Sequence, residues 1–157
     1  MFTLTLLALS SSNGPKGIPP PSNMKKYKTA CAIIINDAGA ILLTKRAREP
    51  FKGRWAIISG IGESKKGIMP EIGIVEEVRC DLSTNSFRGE YIFSIPIEGD
   101  QMTDEAMVFL GKVNENELLP NPNFSLGYKW VFPDKKEEFE NLAFEHSKII
   151  KKYLESP

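Results

Sequence analysis

Glu76 and Glu77 are adjacent carboxylates on a stretch whose spacing predicts a helix from Pro70 to about Asp81. At about 100° per residue, Ile74, Val75, Val78 and Leu82 cluster on one side of that helix. The two glutamates point away from the cluster, with Gly73 and Cys80 beside them. Small neighbours leave room for an ion or ligand to approach. Adjacent carboxylates repel each other unless a cation or donor intervenes. Hard oxygen ligands of this kind suit Mg2+ or Mn2+ bridging to a phosphate. Such a metal would activate water and offset charge on phosphoryl oxygens. Glu63, in the preceding loop, is available as a third carboxylate. The plain alternative is a solvated helix face and a polar loop residue.

Arg46, Arg48 and Arg54 cluster before and within a strand expected over Arg54 to Ser59. They read either as clamps on the phosphates of a nucleotide-like ligand or as a solvated charged loop. Phe51 and Trp55 read either as stacking surfaces for a base or sugar or as core packing. Gly60 lies in Ser59-Gly60-Ile61-Gly62, a turn where backbone can approach a ligand closely. His146 is the only histidine. It is a candidate general base, but its place on an apolar helical face favours a structural role. Glu105, at a strand entry, is a minor candidate for assisting catalysis.

The elements that must position these groups follow from periodicity. Tyr27, Thr29, Cys31, Ile33 and Ile35 share one face of a strand, and Ala30, Ala32 and Ile34 the other. Two apolar faces predict a central strand. Asn36-Asp37-Ala38-Gly39 is a turn signal, and Ala40 to Thr44 the return strand. A third strand is expected over Arg54 to Ser59. Two more run from Glu90 to Ile97 and from Ala106 to Val113, and a short one from Tyr128 to Phe132. Leu142, His146, Ile149, Ile150 and Tyr153 fall on one face of a last helix. Strands, helix, strands, helix is a mixed sheet flanked by helices, not an alternating βαβ array.

The rest of the chain bounds the partners. The 157 residues suit one domain. Residues 1–23 read as an irregular arm with Pro19-Pro20-Pro21, and 24–157 as the domain. Met24 is an alternative start. The apolar run Met1 to Leu9 lacks the basic segment of a signal peptide. Lys plus Arg and Asp plus Glu both total 20, so no broad nucleic-acid or anionic-membrane surface is expected. Cys31 and Cys80 form no metal or disulfide pattern and fit a cytoplasmic location.

In order, these pieces resemble the Nudix hydrolase family from about residue 27 to 154. Thr29 to Thr44 is similar to its first hairpin, and Lys45 to Trp55 to its basic segment leading to Gly-x-Trp. Gly62-Glu63-Ser64 and Glu76-Glu77 resemble the two ends of its catalytic motif, and Tyr128-Lys129-Trp130-Val131 its closing strand. The resemblance implies an α+β fold with a mixed sheet sandwiched between helices. It implies catalytic Glu76 and Glu77, metal held by Glu63, Glu76 and Glu77, and substrate bound by Arg46, Arg48, Arg54, Phe51 and Gly60.

The family's box reads G-x5-E-x7-R-E-U-x-E-E-x-G-U, with U aliphatic. Here Gly60 stands three residues before Glu63, not six, and Glu76 thirteen after it, not twelve. Ile72-Gly73 occupies the Arg-Glu position and Arg79 that of the closing glycine. The lost glutamate is a ligand in the family; the lost arginine orients the carboxylates, a role whose removal typically costs about 10–100-fold.

Three functions follow as expectations. One is divalent-metal-dependent hydrolysis of a nucleoside diphosphate linked to another moiety. Another is a non-catalytic module that binds a nucleotide or phosphosugar. The third is a protein-interaction domain using the proline-rich stretch 15–21. The expected partner is a small phosphorylated ligand, with no extended nucleic acid and no membrane; a homodimer is open.

Overall fold

The computed structural model describes residues 26–156, so the arm expected over residues 1–23 lies outside the described residues. Among the described residues seven strands form two sheets. β1 (Tyr27–Ile34) is central in a four-stranded sheet, antiparallel to β4 (Ile58–Gly60) and parallel to β6 (Thr103–Lys112). β5 (Arg88–Pro96) lies at the edge, antiparallel to β6. In the smaller sheet β2 (Ile41–Arg46) runs between β3 (Trp55–Ala56) and β7 (Ser125–Val131), antiparallel to both. Three helices complete the fold: α1 (Gly62–Lys65), α2 (Pro70–Leu82) and α3 (His146–Glu155).

The alternation read in β1 is realised as two cores. Cys31 and Ile33 pack with Ile149 and Ile150 of α3 on one side. Ala30, Ala32 and Ile34 pack with Ile74, Val78 and Leu82 of α2 on the other. Each fully buried branched side chain here contributes roughly 1.5–3 kcal/mol. β2 divides likewise, with Ile41 and Leu43 in the first core and Leu42 in the second.

Three expected elements differ. The last helix starts only at His146, so Leu142 precedes it while still packing in the same core as Ile149 and Ile150. The third strand is broken, because β3 pairs with β2 in one sheet and β4 with β1 in the other. Ile57 between them packs in the α3 core and Ile58 in the α2 core, so an unbroken apolar run serves both layers. The expected first hairpin is likewise split between sheets. β1 and β2 are linked by the single bridge Ile35–Ile41, and the Asn36 side chain accepts from the Ala38 and Ala40 amides at 3.0 and 2.9 Å. α2 starts at Pro70 as expected, and Ser83 ends it in the left-handed region, φ 61°.

Candidate functional site

The broken strand places Gly60 against α2. A Cβ at Gly60 would fall on the Glu77 carboxylate, so only glycine admits Glu77 there. Glu77 and Asp81, one helical turn apart, both line a cavity of about 330 Å3. Arg46 and Arg48 line the same cavity. The Thr44 hydroxyl is buried beside them and makes no hydrogen bond to another side chain or backbone group among the described residues.

The electrostatics follow from that placement. Burial, and then the Asp81, Glu63 and Glu76 carboxylates, push the Glu77 carboxyl up to about 7. Burial pushes Asp81 up to about 7 against the pull of Arg46 and Arg48. Burial holds the Arg46 guanidinium below its ordinary value. Arg46 Nε donates to the Pro50 carbonyl at 2.8 Å, and Arg48 Nε to the Asn123 carbonyl at 3.0 Å. The guanidinium of Arg48 lies 4.1 Å from the Phe124 ring centroid.

The other expected carboxylates lie differently. Glu76 is engaged by Arg79, whose Nε donates to it at 2.9 Å, and that bond holds its carboxyl below the usual range. Glu63 accepts from Lys66 at 3.2 Å and lies against Gly73. A Cβ at Gly73 would sit 2.9 Å from the Glu63 Cβ, so Glu63 fills the space beside the glycine. Among the described residues no three His, Cys, Asp or Glu side chains come together as a metal set. Arg54 is not brought to the cavity of Arg46 and Arg48. It lies 5.0 Å from the Phe51 ring and lines a separate groove of about 490 Å3 with Trp55 and Lys129.

A second cavity, of about 570 Å3, adjoins the first through Arg46, Ser59 and Gly60. His146, the first residue of α3, is buried and lines this second cavity. The Ile57 amide donates to its Nδ1 at 3.2 Å, so its proton sits on Nε2, which donates to Ser59 Oγ at 3.1 Å. Burial, and then Arg46, push the imidazole down to about 3, so it stays neutral. The structural reading of His146 thus fits the geometry. At the cavity mouth the Phe51 and Phe144 rings meet edge to face, centroids 5.1 Å apart, and Arg46 lies 4.7 Å over Phe144. Glu105 pairs with Lys28 at 3.0 Å, away from either cavity.

Two residues escape the sequence reading. Asp81 has a usable signal, its i, i+4 spacing from Glu77. Phe144 has none, because its left-handed backbone and its place at the mouth are set by tertiary contacts.

No family model and no curated protein matches the sequence. Solved structures do match. The NUDIX domain of Shewanella oneidensis NrtR, in a cocrystal with ADP ribose, superposes with a TM-score of 0.67 at 16% identity, covering 85% of this chain and 90% of that one. A MutT NUDIX hydrolase from Burkholderia pseudomallei gives 0.61 at 19% identity, over 81% and 97% of the two chains. A C. elegans Ap4A hydrolase gives 0.62 at 15%, over 81% and 94%. The protein therefore has the Nudix fold, an α+β architecture with its mixed strands held between helices. Among the described residues no helix is long and apolar enough to cross a membrane.

Proposed function

We propose that the protein hydrolyses a nucleoside diphosphate linked to a second moiety, with a divalent cation. The observation that carries this reading is the Glu77 carboxylate, seated on Gly60 in a cavity that Arg46 and Arg48 share. Structural neighbours that are Nudix hydrolases support the reaction class, and the ADP ribose of one neighbour supports a nucleotide-like ligand.

The donor set fits Mg2+ or Mn2+ in a reduced form. Two carboxylates with substrate phosphates and water suffice for Mg2+, and Glu77 and Asp81 are the two that share the cavity. Glu63 and Glu76 add negative potential at Glu77. When bound, the cation supplies an activated water and offsets charge on the phosphoryl oxygens. Arg46 and Arg48 bind and orient the diphosphate, and their backbone anchors hold them in place before substrate arrives. The Thr44 hydroxyl is free to donate to a phosphate oxygen. The neutral His146 fixes Ser59 and, through it, the turn carrying Gly60.

A panel of nucleoside-diphosphate-linked compounds, assayed with and without Mg2+ for nucleoside monophosphate release, tests the reading. Turnover that needs Mg2+ and disappears in Glu77→Gln is expected. Thermal stabilisation by these ligands with no turnover would instead leave a binding module, the outcome that Gly73 in place of a carboxylate favours.

A further inference from the structure

Phe51 and Phe144 are the two most unusual residues at the 570 Å3 cavity. Both are large, both are exposed, and both have positive φ, 67° and 56°. A non-glycine residue in that region costs energy, and such strain gathers at ligand clamps. The strain here holds two aromatic edges at the mouth of a cavity of a size typical for small-molecule ligands. Phe144 also lies 5.4 Å from the buried His146 ring and has Arg46 over one face, yet 45% of it stays exposed.

The charges around the cavity limit what enters with an aromatic ring. Its lining carries three carboxylates, Glu98, Asp100 and Glu145, against one cation, Arg46. Lys148 pairs with Glu145 at 3.2 Å. Asp100 Oδ1 accepts from the Met102 and Thr103 amides at 2.7 and 3.2 Å, which fixes its place without removing its charge. Arg46 is shared with the cavity of Glu77 and Asp81 and belongs to the diphosphate side. The far wall is therefore anionic. It suits hydroxyls or amino groups that donate hydrogen bonds, and it repels a further phosphate.

We propose that this cavity takes the nucleoside half of the substrate, base stacked at Phe51 and Phe144, and selects against nucleosides phosphorylated beyond the bridging diphosphate. The inference rests on the reading above for the direction in which the substrate lies. Stacking supplies the affinity, and the Glu98–Asp100 wall supplies the selection.

Calorimetric titration of the metal-free full chain with ADP-ribose, its 2′-phosphorylated form and inorganic pyrophosphate tests this. ADP-ribose should bind about ten-fold or more tighter than the 2′-phosphorylated form. Glu98→Lys should narrow that gap. Phe144→Ala should weaken ADP-ribose about ten-fold, the scale of removing one base-stacking aromatic. Pyrophosphate, which meets Phe144 only through the Arg46 guanidinium over its ring, should lose clearly less, and Phe144→Tyr should restore binding. Equal affinity for the two nucleotides, binding of neither, or equal loss of ADP-ribose and pyrophosphate in Phe144→Ala overturns the proposal. Mg2+-dependent turnover indifferent to Phe144 overturns it while sparing the hydrolase reading. Phe144-dependent, phosphate-averse binding without turnover supports it and removes the hydrolase reading instead.

Discussion

The two cavities that meet at Arg46 are built on opposite terms. The larger one is braced by hydrogen bonds among its lining residues: His146 to Ser59, and Thr29 Oγ1 to Thr103 Oγ1 at 2.9 Å. In the smaller one Glu77 and Asp81 share a helix face with carboxyls raised by burial. The first cavity is already shaped before a ligand enters. The second holds charge whose desolvation cost only a ligand or cation can offset. Affinity should therefore be set by the larger cavity and turnover by the smaller.

The largest effect expected from breaking this contrast is on turnover. Glu77→Gln should lower kcat by more than the roughly 100-fold that loss of an outer partner costs, while raising the melting temperature in chelator. A drop in both would mean that the carboxylate is structural.

The larger cavity should fail in acid. The folded pKa of His146, about 3, lies below its unfolded value near 6.5. Its neutral form is the one that accepts from Ile57, so this contribution is complete above the unfolded value. It is lost as pH falls towards 3, at up to about 1.4 kcal/mol per pH unit. Urea unfolding from pH 7 to pH 4 would reveal the slope, and its absence in His146→Gln would assign it.

A smaller effect is expected at Asp81. Asp81→Asn should stabilise the cation-free protein by roughly 1–2 kcal/mol, the usual gain when a charge strained by function is removed. It should also reduce the rise in melting temperature that millimolar Mg2+ gives the native chain. An unchanged Mg2+ response would place the cation elsewhere.

Gly73→Ala should change least. Helix propensity favours alanine by about 1 kcal/mol, and the 2.9 Å approach to Glu63 Cβ offsets part of that. A loss above about 2 kcal/mol would show that Glu63 cannot yield.

The same contrast explains what was legible in the sequence. Local rules determine β1 and α2, so the alternation of Tyr27 to Ile35 and the face of Ile74, Val78 and Leu82 are realised as read. Those rules also lead to Glu77 and Gly60, which meet. They give no warning that Arg54 lines another groove with Trp55 and Lys129, because a side chain's direction after a loop depends on what packs against it. Nor do they show the sheet switch at Ile57, since a strand buried on both faces and one crossing between layers read alike.

That switch has a consequence for how the site comes into being. The Trp55 carbonyl accepts from the Ala143 amide at 2.9 Å, and the Ile57 amide donates to the His146 ring. The crossing between sheets is thus fastened by groups some ninety positions downstream. A nascent chain that has not yet released residue 143 from the ribosome lacks both fasteners. The turn that seats Glu77 on Gly60 is accordingly a late event of synthesis, completed only when the C-terminal helix closes over strands made long before it.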